Sequence, residues 1–447
     1  MLPDRRPGAT IAAIGLSFVL AYGASLVLLP KPNGQIVVGD AIEHYVQLRS
    51  VVFDGDLQFL NDYAGLYRVD EQAMSGAAAW KTTPTGHIRN YMPVGPALLW
   101  APLFLLVTAA IALLNAGGLA YPLDGFARVF QSTAGFSGIL AATAGTWIAF
   151  RTSAALFDRR AAIVATLAVW LASSAVYYSL ISPAYSHAAS ILAVSAFWLA
   201  WIRTRDRQDA RRYVVLGLLA GLAALMRWQD AILLAIPALD MAWHRRALGV
   251  AGIAWRLAAC AAAAVFAFIP QMIVWHVLYG QTLTVPQGPG FMRWSEPALL
   301  ATLFSDNHGL LTWTPIVALS LVGLVPLVRR DGLVGTAAVL FLLASWYVNS
   351  SVADWWAGEA FGARRFLSCY PVFVLGLTAL LHSLRVHPRW VYGIATSFVG
   401  YTFLLLVQYQ AFMHGYRDSV PYPRGVFDLG FARFRVPFDL LAAFLGS

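Results

Sequence analysis

Long runs of apolar residues alternate with short polar joints along almost the whole chain. A membrane-spanning helix needs about 20 apolar residues, and this rule lays out the elements. The first run, Ala9 to Pro30, is too long and uninterrupted for a signal-peptide core, so it is expected to be retained, with Arg5 and Arg6 on the inner side. Further crossings are expected at Arg128 to Phe150, Ala161 to Leu180, Ser186 to Ile202, Tyr213 to Met226 and Ala231 to Trp243. The pattern resumes with Leu257 to Tyr279, Leu310 to Val328, Leu333 to Val348, Phe366 to Leu384 and Val391 to Tyr409. The expected architecture is all-α and polytopic, a single integral membrane domain over residues 1–447 with about 11 transmembrane helices.

The run Pro93 to Leu114 is apolar enough to cross, but Pro93, Gly95, Pro96 and Pro102 are expected to break its first half. If it crossed, the basic run Phe157-Asp158-Arg159-Arg160 would face outward, against the positive-inside rule. It is therefore expected to lie along the outer surface as a juxtamembrane helix. That makes residues 31–127 a first outer loop, 349–365 a second, and 410–447 an outer tail.

Hydrophobic residues make up 59% of the chain, charged residues only 12%, and the mean hydropathy is +0.64. The formal charge of +9 does not point to nucleic acid. Seventeen of the 31 Lys and Arg residues fall in short inner joints, against fourteen in longer outer loops. Cys260 and Cys369 both lie inside apolar runs, which indicates neither a disulfide framework nor a zinc site. No fixed-period repeat and no matched pair of broken helices is visible, which argues against an inverted-repeat transporter.

Acidic residues concentrate between Gln35 and Met92. Ile42, Tyr45, Val46 and Leu48 mix with polar residues at helical spacing, so a helix is expected from Asp40 to Phe53, ended by Gly55. Asp40, Glu43 and His44 then share one face. Asp40 alone could be a helix cap, which would leave Glu43 and His44 unexplained. A carboxylate general base with orienting neighbours explains all three. Asp54, Asp56 and Asp62 form a second acidic patch. Taken singly they read as turn residues, although their oxygens could also hold a divalent cation. No metal ligand set and no certain cofactor is assigned.

Arg227 interrupts two short apolar segments, and an ionisable residue at that depth is a functional candidate. Its alternative role is to snorkel or to pair with Asp230. Arg364 and Arg365 follow Trp355 and Glu359 at the outer edge of a span, where a guanidinium fork suits phosphate oxygens. His187 and His308 each stand at the outer mouth of an inward span.

These pieces occur in a telling order. Gly39-Asp40-Ala41-Ile42-Glu43-His44-Tyr45 comes first, then Asp54-Gly55-Asp56-Leu57 to Asn61-Asp62-Tyr63. Leu225-Met226-Arg227-Trp228-Gln229 and His308-Gly309-Leu310-Leu311-Thr312-Trp313-Thr314-Pro315 follow, and Trp355-Trp356-Ala357-Gly358-Glu359-Ala360-Phe361-Gly362-Ala363-Arg364-Arg365 comes last. In this order the chain resembles the GT-C glycosyltransferases, in particular bacterial members related to protein mannosyltransferases and aminoarabinose transferases. The resemblance implies juxtamembrane helices after the first span and a catalytic acid in the first outer loop, at Asp40. Many such proteins carry a second Asp in the next outer loop, where this chain has Ser186-His187.

The function expected is transfer of a sugar from a polyprenyl-phosphate donor to an envelope acceptor at the outer face of a bacterial inner membrane. Asp40 and Glu43 are the catalytic candidates, and Arg227, Arg364 and Arg365 the phosphate ligands. His44, Tyr45, Asp54, Asp56, Asp62, His187, His308, Trp355 and Glu359 are further site candidates. The expected partners are the lipid-linked donor and membrane lipids, with the acceptor left open. The competing reading is a transporter or flippase of lipid-linked saccharides without bond chemistry, and a third is a non-catalytic scaffold.

Overall fold

The computed structural model describes residues 7–28, 35–78, 81–384, 387–416, 418, 420–428 and 432–445. Arg5, Arg6 and residues 31–34 of the first loop lie outside the described residues. The described chain is helical, and its only β pairing is two isolated bridges, Thr82–Ile88 and Met292–Val352.

The apolar helix α1 (Pro7–Leu28) leads into the acidic loop. Helix α2 (Asp40–Arg49) continues as a π-helical turn over Ser50–Asp54 and stops at Gly55, whose φ of 75° no other residue adopts so cheaply. Helix and stop thus match the expected pattern. Helices α3 (Leu60–Tyr67), α4 (Glu71–Ala78) and α5 (Gly95–Ala116) follow.

Helix α5 is unbroken, which corrects the expectation that prolines interrupt its first half. Pro93 precedes the helix, and Pro96 sits in its first turn, where the missing N–H needs no partner. Only Pro102 is interior. The helix packs on α2 through Trp100 against His44 and Phe104 against Tyr45, with ring centroids 5.9 and 5.8 Å apart. Beyond α5 the chain returns to α2, where Gly125 O accepts from Tyr45 Oη at 2.5 Å and Asp124 O from Arg49 Nε at 2.9 Å. The first half of α5 and the segment that follows the helix are therefore held beside α2.

The bundle proper runs through α6 (Arg128–Ser153), α7 (Arg159–Leu171), α8 (Ser174–Leu180), α9 (Ser186–Arg203) and α10 (Ala210–Met226). A 3-10 turn, Trp228–Leu234, leads to α11 (Ala235–Trp243) and the long α12 (Arg245–Tyr279). Then come α13 (Leu299–Phe304), α14 (Leu310–Trp313), α15 (Ile316–Val322), α16 (Leu324–Arg330) and α17 (Gly332–Ser350). A 3-10 turn over Arg364–Cys369 opens α18 (Tyr370–Ser383), followed by α19 (Pro388–Met413) and α20 (Ala432–Leu445). The single span expected from Leu310 to Val328 is three short helices. Pro315 lacks the N–H to continue the first, and Gly323 lies where an added Cβ would come within 1.8 Å of Gly376 O.

Among the described residues seven helical segments are long and apolar enough to cross a membrane, and the α7–α8 pair, bent by 72°, would be an eighth. The protein is a multi-pass membrane protein. Helices approach closely where side chains are small. An added Cβ on Gly217 or Gly221 of α10 would come within 2.3 Å of the α12 carbonyls of Cys260 and Ala264. Side chains of Asp158, Asp209 and Asp331 cap α7, α10 and α17, each accepting a backbone N–H of the first turn.

Contacts sort the joints into two ends. At one end His382 bonds Asp158 at 2.8 Å, Arg330 bonds Leu156 O at 2.9 Å, Arg205 pairs with Asp331, and Arg256 bonds Gln208 O at 2.8 Å. This is the basic end. The acidic loop and the Arg364 motif meet at the other. The largest apolar core runs through the bundle around Trp170, Trp198 and Tyr213, and a second joins α2, α3 and α5 under the acidic loop.

Candidate active site

Asp40 opens α2, but it does not cap it. Gly39 occupies the cap position, and no side chain bonds the first N–H groups. The carboxylate is instead taken by Arg364, whose Nη1 donates to Asp40 Oδ2 at 2.7 Å. This pair joins residues 324 positions apart. Two features force Asp40 into this position. Gly39 has φ 56°, and a Cβ there would stand 2.2 Å from the Tyr185 hydroxyl. The Tyr185 ring in turn lies under the Arg364 guanidinium, 5.4 Å from its centroid. Arg364 Nη2 donates to Ala357 O at 3.0 Å, and the turn that presents this carbonyl has left-handed residues at both Ala357 and Gly358.

A second guanidinium lies beneath the first. Arg227 ends α10 and donates from Nη1 to His187 Nδ1 and from Nη2 to Gln229 Oε1 at 3.0 Å. Asp230, the partner in its alternative role, makes no ion pair with it among the described residues. Asp230 accepts from Ser190 at 2.6 Å, and Ser190 also bonds Ser368. His187 lies between the rings of Tyr178 and Tyr185 at 4.5 and 6.2 Å. Gln229 donates onward to Arg365 O at 2.9 Å. Arg365 reaches Asp354 through two bonds, at 3.0 Å to the carbonyl and 2.9 Å to the carboxylate.

Asp40, His187, Arg227, Arg364 and Arg365 therefore form one connected group. Next to it is a small hollow of about 250 Å³ bordered by Arg364, Arg365, His308, Asn349, Trp355 and Trp356. His308 donates from Nδ1 to Trp356 O at 2.8 Å, which leaves Nε2 to accept from Tyr422 Oη at 2.5 Å. Burial pushes His308 down to about 4, so it is neutral. Trp355 meets Trp356 edge to face at 5.7 Å, and Glu359 is exposed.

The other candidates do not join this group. Glu43 turns its carboxylate to the Tyr91 N–H at 2.6 Å, and burial raises it to about 7. His44 donates to Pro93 O at 2.8 Å and is held near 4 by burial. Tyr45 is fixed on Gly125 O. Asp54 and Asp62 both pair with Arg49, while Asp56 accepts from Ser50 at 2.8 Å and from the Gln58 N–H at 3.0 Å. Those acids face a guanidinium and a turn, an arrangement that does not fit a divalent cation. Among the described residues no three His, Cys, Asp or Glu side chains are placed to share one.

No protein-family model matches the chain, and no curated protein matches its sequence. The solved structure of ArnT from Cupriavidus metallidurans, bound to undecaprenyl phosphate, is similar over 97% of this chain and 77% of ArnT. The TM-score is 0.50 and the identity 14%. The chain has a GT-C-like fold. The archaeal oligosaccharyltransferase AglB from Archaeoglobus fulgidus, in complex with an inhibitory peptide and a dolichol-phosphate, is similar over 96% of this chain and 54% of its own. Its TM-score is 0.46 and its identity 12%.

Sequence reasoning missed several members of this site. Tyr185 stands two residues before His187, but its relation to Gly39 is a contact across 146 positions. Asp354, the partner of Arg365, reads as one acid among tryptophans. Tyr422 belongs to the tail, whose composition gives no sign that it docks on His308. The GT-C-like bundle holds that tail in place through buried Arg433, which bonds Gln408 Oε1 at 3.1 Å and Gly425 O at 2.7 Å.

Proposed function

We propose that the protein is a membrane glycosyltransferase. It moves a sugar from a polyprenyl-phosphate donor to an acceptor hydroxyl at the outer face of a bacterial inner membrane. The observation that carries this reading is the Asp40–Arg364 pair, which sets a partly exposed carboxylate beside three guanidinium groups at the end opposite the basic joints. A base and a phosphate cradle are what a single displacement needs. The fold shared with ArnT, whose structure holds undecaprenyl phosphate, supports the donor class.

In the proposed step the acceptor oxygen attacks the anomeric carbon and its proton passes to Asp40. The bond from that carbon to the phosphate oxygen breaks, and the electron pair leaves with the polyprenyl phosphate. The configuration inverts. Charge builds on the departing phosphate, where preorganised cations act most strongly. Arg364 and Arg227 face that charge, and Arg365 is held ready by Asp354. Glu43 orients rather than reacts, because its carboxylate is committed to Tyr91. Helix α5 lies along the outer membrane surface, and residues 31–127, 349–365 and the 410–447 tail share that side.

The test is purified full-length protein with radiolabelled polyprenyl-phosphate hexose and a crude envelope extract as acceptor source. Release of polyprenyl phosphate with label appearing in the extract is expected. Translocation of intact donor across vesicles without bond cleavage would defeat the reading in favour of a flippase.

A further inference from the structure

A second and wider cleft lies apart from the hollow beside Arg364. It has a volume of about 950 Å³ and lies between the turn carrying Pro84 and Arg89 and the loop from Tyr279 to Met292. Its walls are pinned together at the base. Thr85 Oγ1 donates to Leu278 O at 2.5 Å, and Tyr279 Oη donates to Asn90 O at 2.7 Å.

Each wall is also tied to the candidate active site. On one side Tyr91 N–H bonds the Glu43 carboxylate and Asn90 Nδ2 bonds Glu43 O at 2.7 Å, three residues from Asp40. On the other side Met292 bridges to Val352 and Arg293 N bonds Ser351 O at 2.6 Å, just before Asp354. The cleft is therefore built from the neighbours of the base on one wall and of the Arg365 clamp on the other.

Its lining has a distinct chemistry. Tyr279, Pro286, Pro289 and Met292 offer flat apolar surface, and Thr284 adds a hydroxyl. Arg89 is the one charged side chain in the described lining. Its guanidinium meets only the Tyr91 ring, 5.9 Å from its centroid, and the Tyr91 hydroxyl at 3.4 Å. Among the described residues no acid lies within ion-pair reach of it. A half-buried guanidinium without a counter-ion, in an otherwise apolar cleft with few polar groups, is the setting of a specific anion contact.

We propose that this cleft binds the acceptor, and that the acceptor is a saccharide carrying an anionic group gripped by Arg89. This rests on the transferase reading above, which supplies the need for an acceptor. The apolar walls take the sugar body, the guanidinium takes the anion, and the wall bonds to Glu43 and Ser351 join the cleft to the residues around Asp40 and Asp354.

The experiment is ligand-detected NMR on purified full-length protein, with glucose 6-phosphate and methyl glucoside as probes. Glucose 6-phosphate is expected to bind more tightly than methyl glucoside. Arg89→Gln is expected to weaken glucose 6-phosphate about 10-fold and leave methyl glucoside unchanged. Arg89→Lys should keep much of the affinity, which separates a lost charge from a misfolded turn. Arg364→Ala, which alters the donor's phosphate cradle, should weaken glucose 6-phosphate less than Arg89→Gln does. Equal binding of the two probes, indifference to Arg89→Gln, or a larger loss in Arg364→Ala than in Arg89→Gln overturns the proposal. Arg89-dependent binding in a protein that transfers no sugar would leave the cleft standing and remove the function. Sugar transfer without it would do the reverse.

Discussion

Arg364 holds Asp40 through a single 2.7 Å ion pair, with the Asp40 side chain about one third exposed. The two residues come from opposite ends of the chain, so the pair is also the clasp between the acidic loop and the Trp355–Arg365 motif. With Arg364 largely buried and Asp40 only one third exposed, the lost hydration of both charges offsets much of their attraction, so the pair is a weak source of stability by itself. Its value is geometric, since it fixes a carboxylate next to a cation with a further donor.

Asp40→Asn keeps the size of the side chain and removes the basic oxygen. Sugar transfer in single turnover, with donor saturating, is expected to slow by about 10²–10⁴-fold, the usual contribution of general base catalysis. Donor binding should remain. Glu43→Gln should cost less, since an amide oxygen still accepts from Tyr91. Near-normal transfer by Asp40→Asn would remove the catalytic role, and a larger loss at Glu43 would exchange the two assignments.

Arg364→Ala is expected to weaken binding of the lipid-linked donor by about 10-fold or more, the worth of a charge-assisted contact. Arg364→Lys should restore only part, because an ammonium cannot reproduce the planar fork. Affinity measured with polyprenyl-phosphate hexose in detergent decides this. Wild-type affinity in the alanine variant would reduce Arg364 to the clasp on Asp40.

The sidedness follows from the two ends of the bundle. Both native cysteines are buried, so background labelling is low. In intact cells a cysteine placed at exposed Arg159 should resist a membrane-impermeant maleimide, whereas one at exposed Asp70 should react. Ready labelling at position 159 would invert the topology and put the site in the cytoplasm.

Burial raises Glu43 in the folded protein to about 7, above its ordinary 4.5. The folded state thus holds a proton that the unfolded chain releases between about pH 4.5 and 7. The stability contributed is complete below about pH 4.5 and is lost as the pH rises through 7. Glu43→Gln carries no such proton. Proteolysis of the first loop should therefore accelerate from pH 5.5 to 8 in the wild type and change less in the variant. The same pH dependence in both proteins would show that another group is responsible.

Hydrophobic periodicity by itself determined that this chain is a bundle of membrane helices, where most of them lie, and that its wet chemistry collects at 35–92 and 349–365. The reason is that a bilayer rewards about 20 apolar residues wherever they occur, a local property of sequence. The stop at Gly55 is equally local, since only glycine takes its backbone angle cheaply. The partners of the charged residues are not local. Asp40 read as a base that could also cap its helix, but Gly39 takes the cap and Arg364 takes the carboxylate. Asp54 and Asp62 read singly as turn residues, with a cation as the alternative, but Arg49 lies between them. Arg227 had Asp230 three residues away and chose His187 on another helix. In each case composition fixes which charges exist, while burial and the meeting of distant helices decide which of them touch. The unbroken course of α5 is the same lesson for the backbone, because a proline breaks a helix only where the missing N–H was needed.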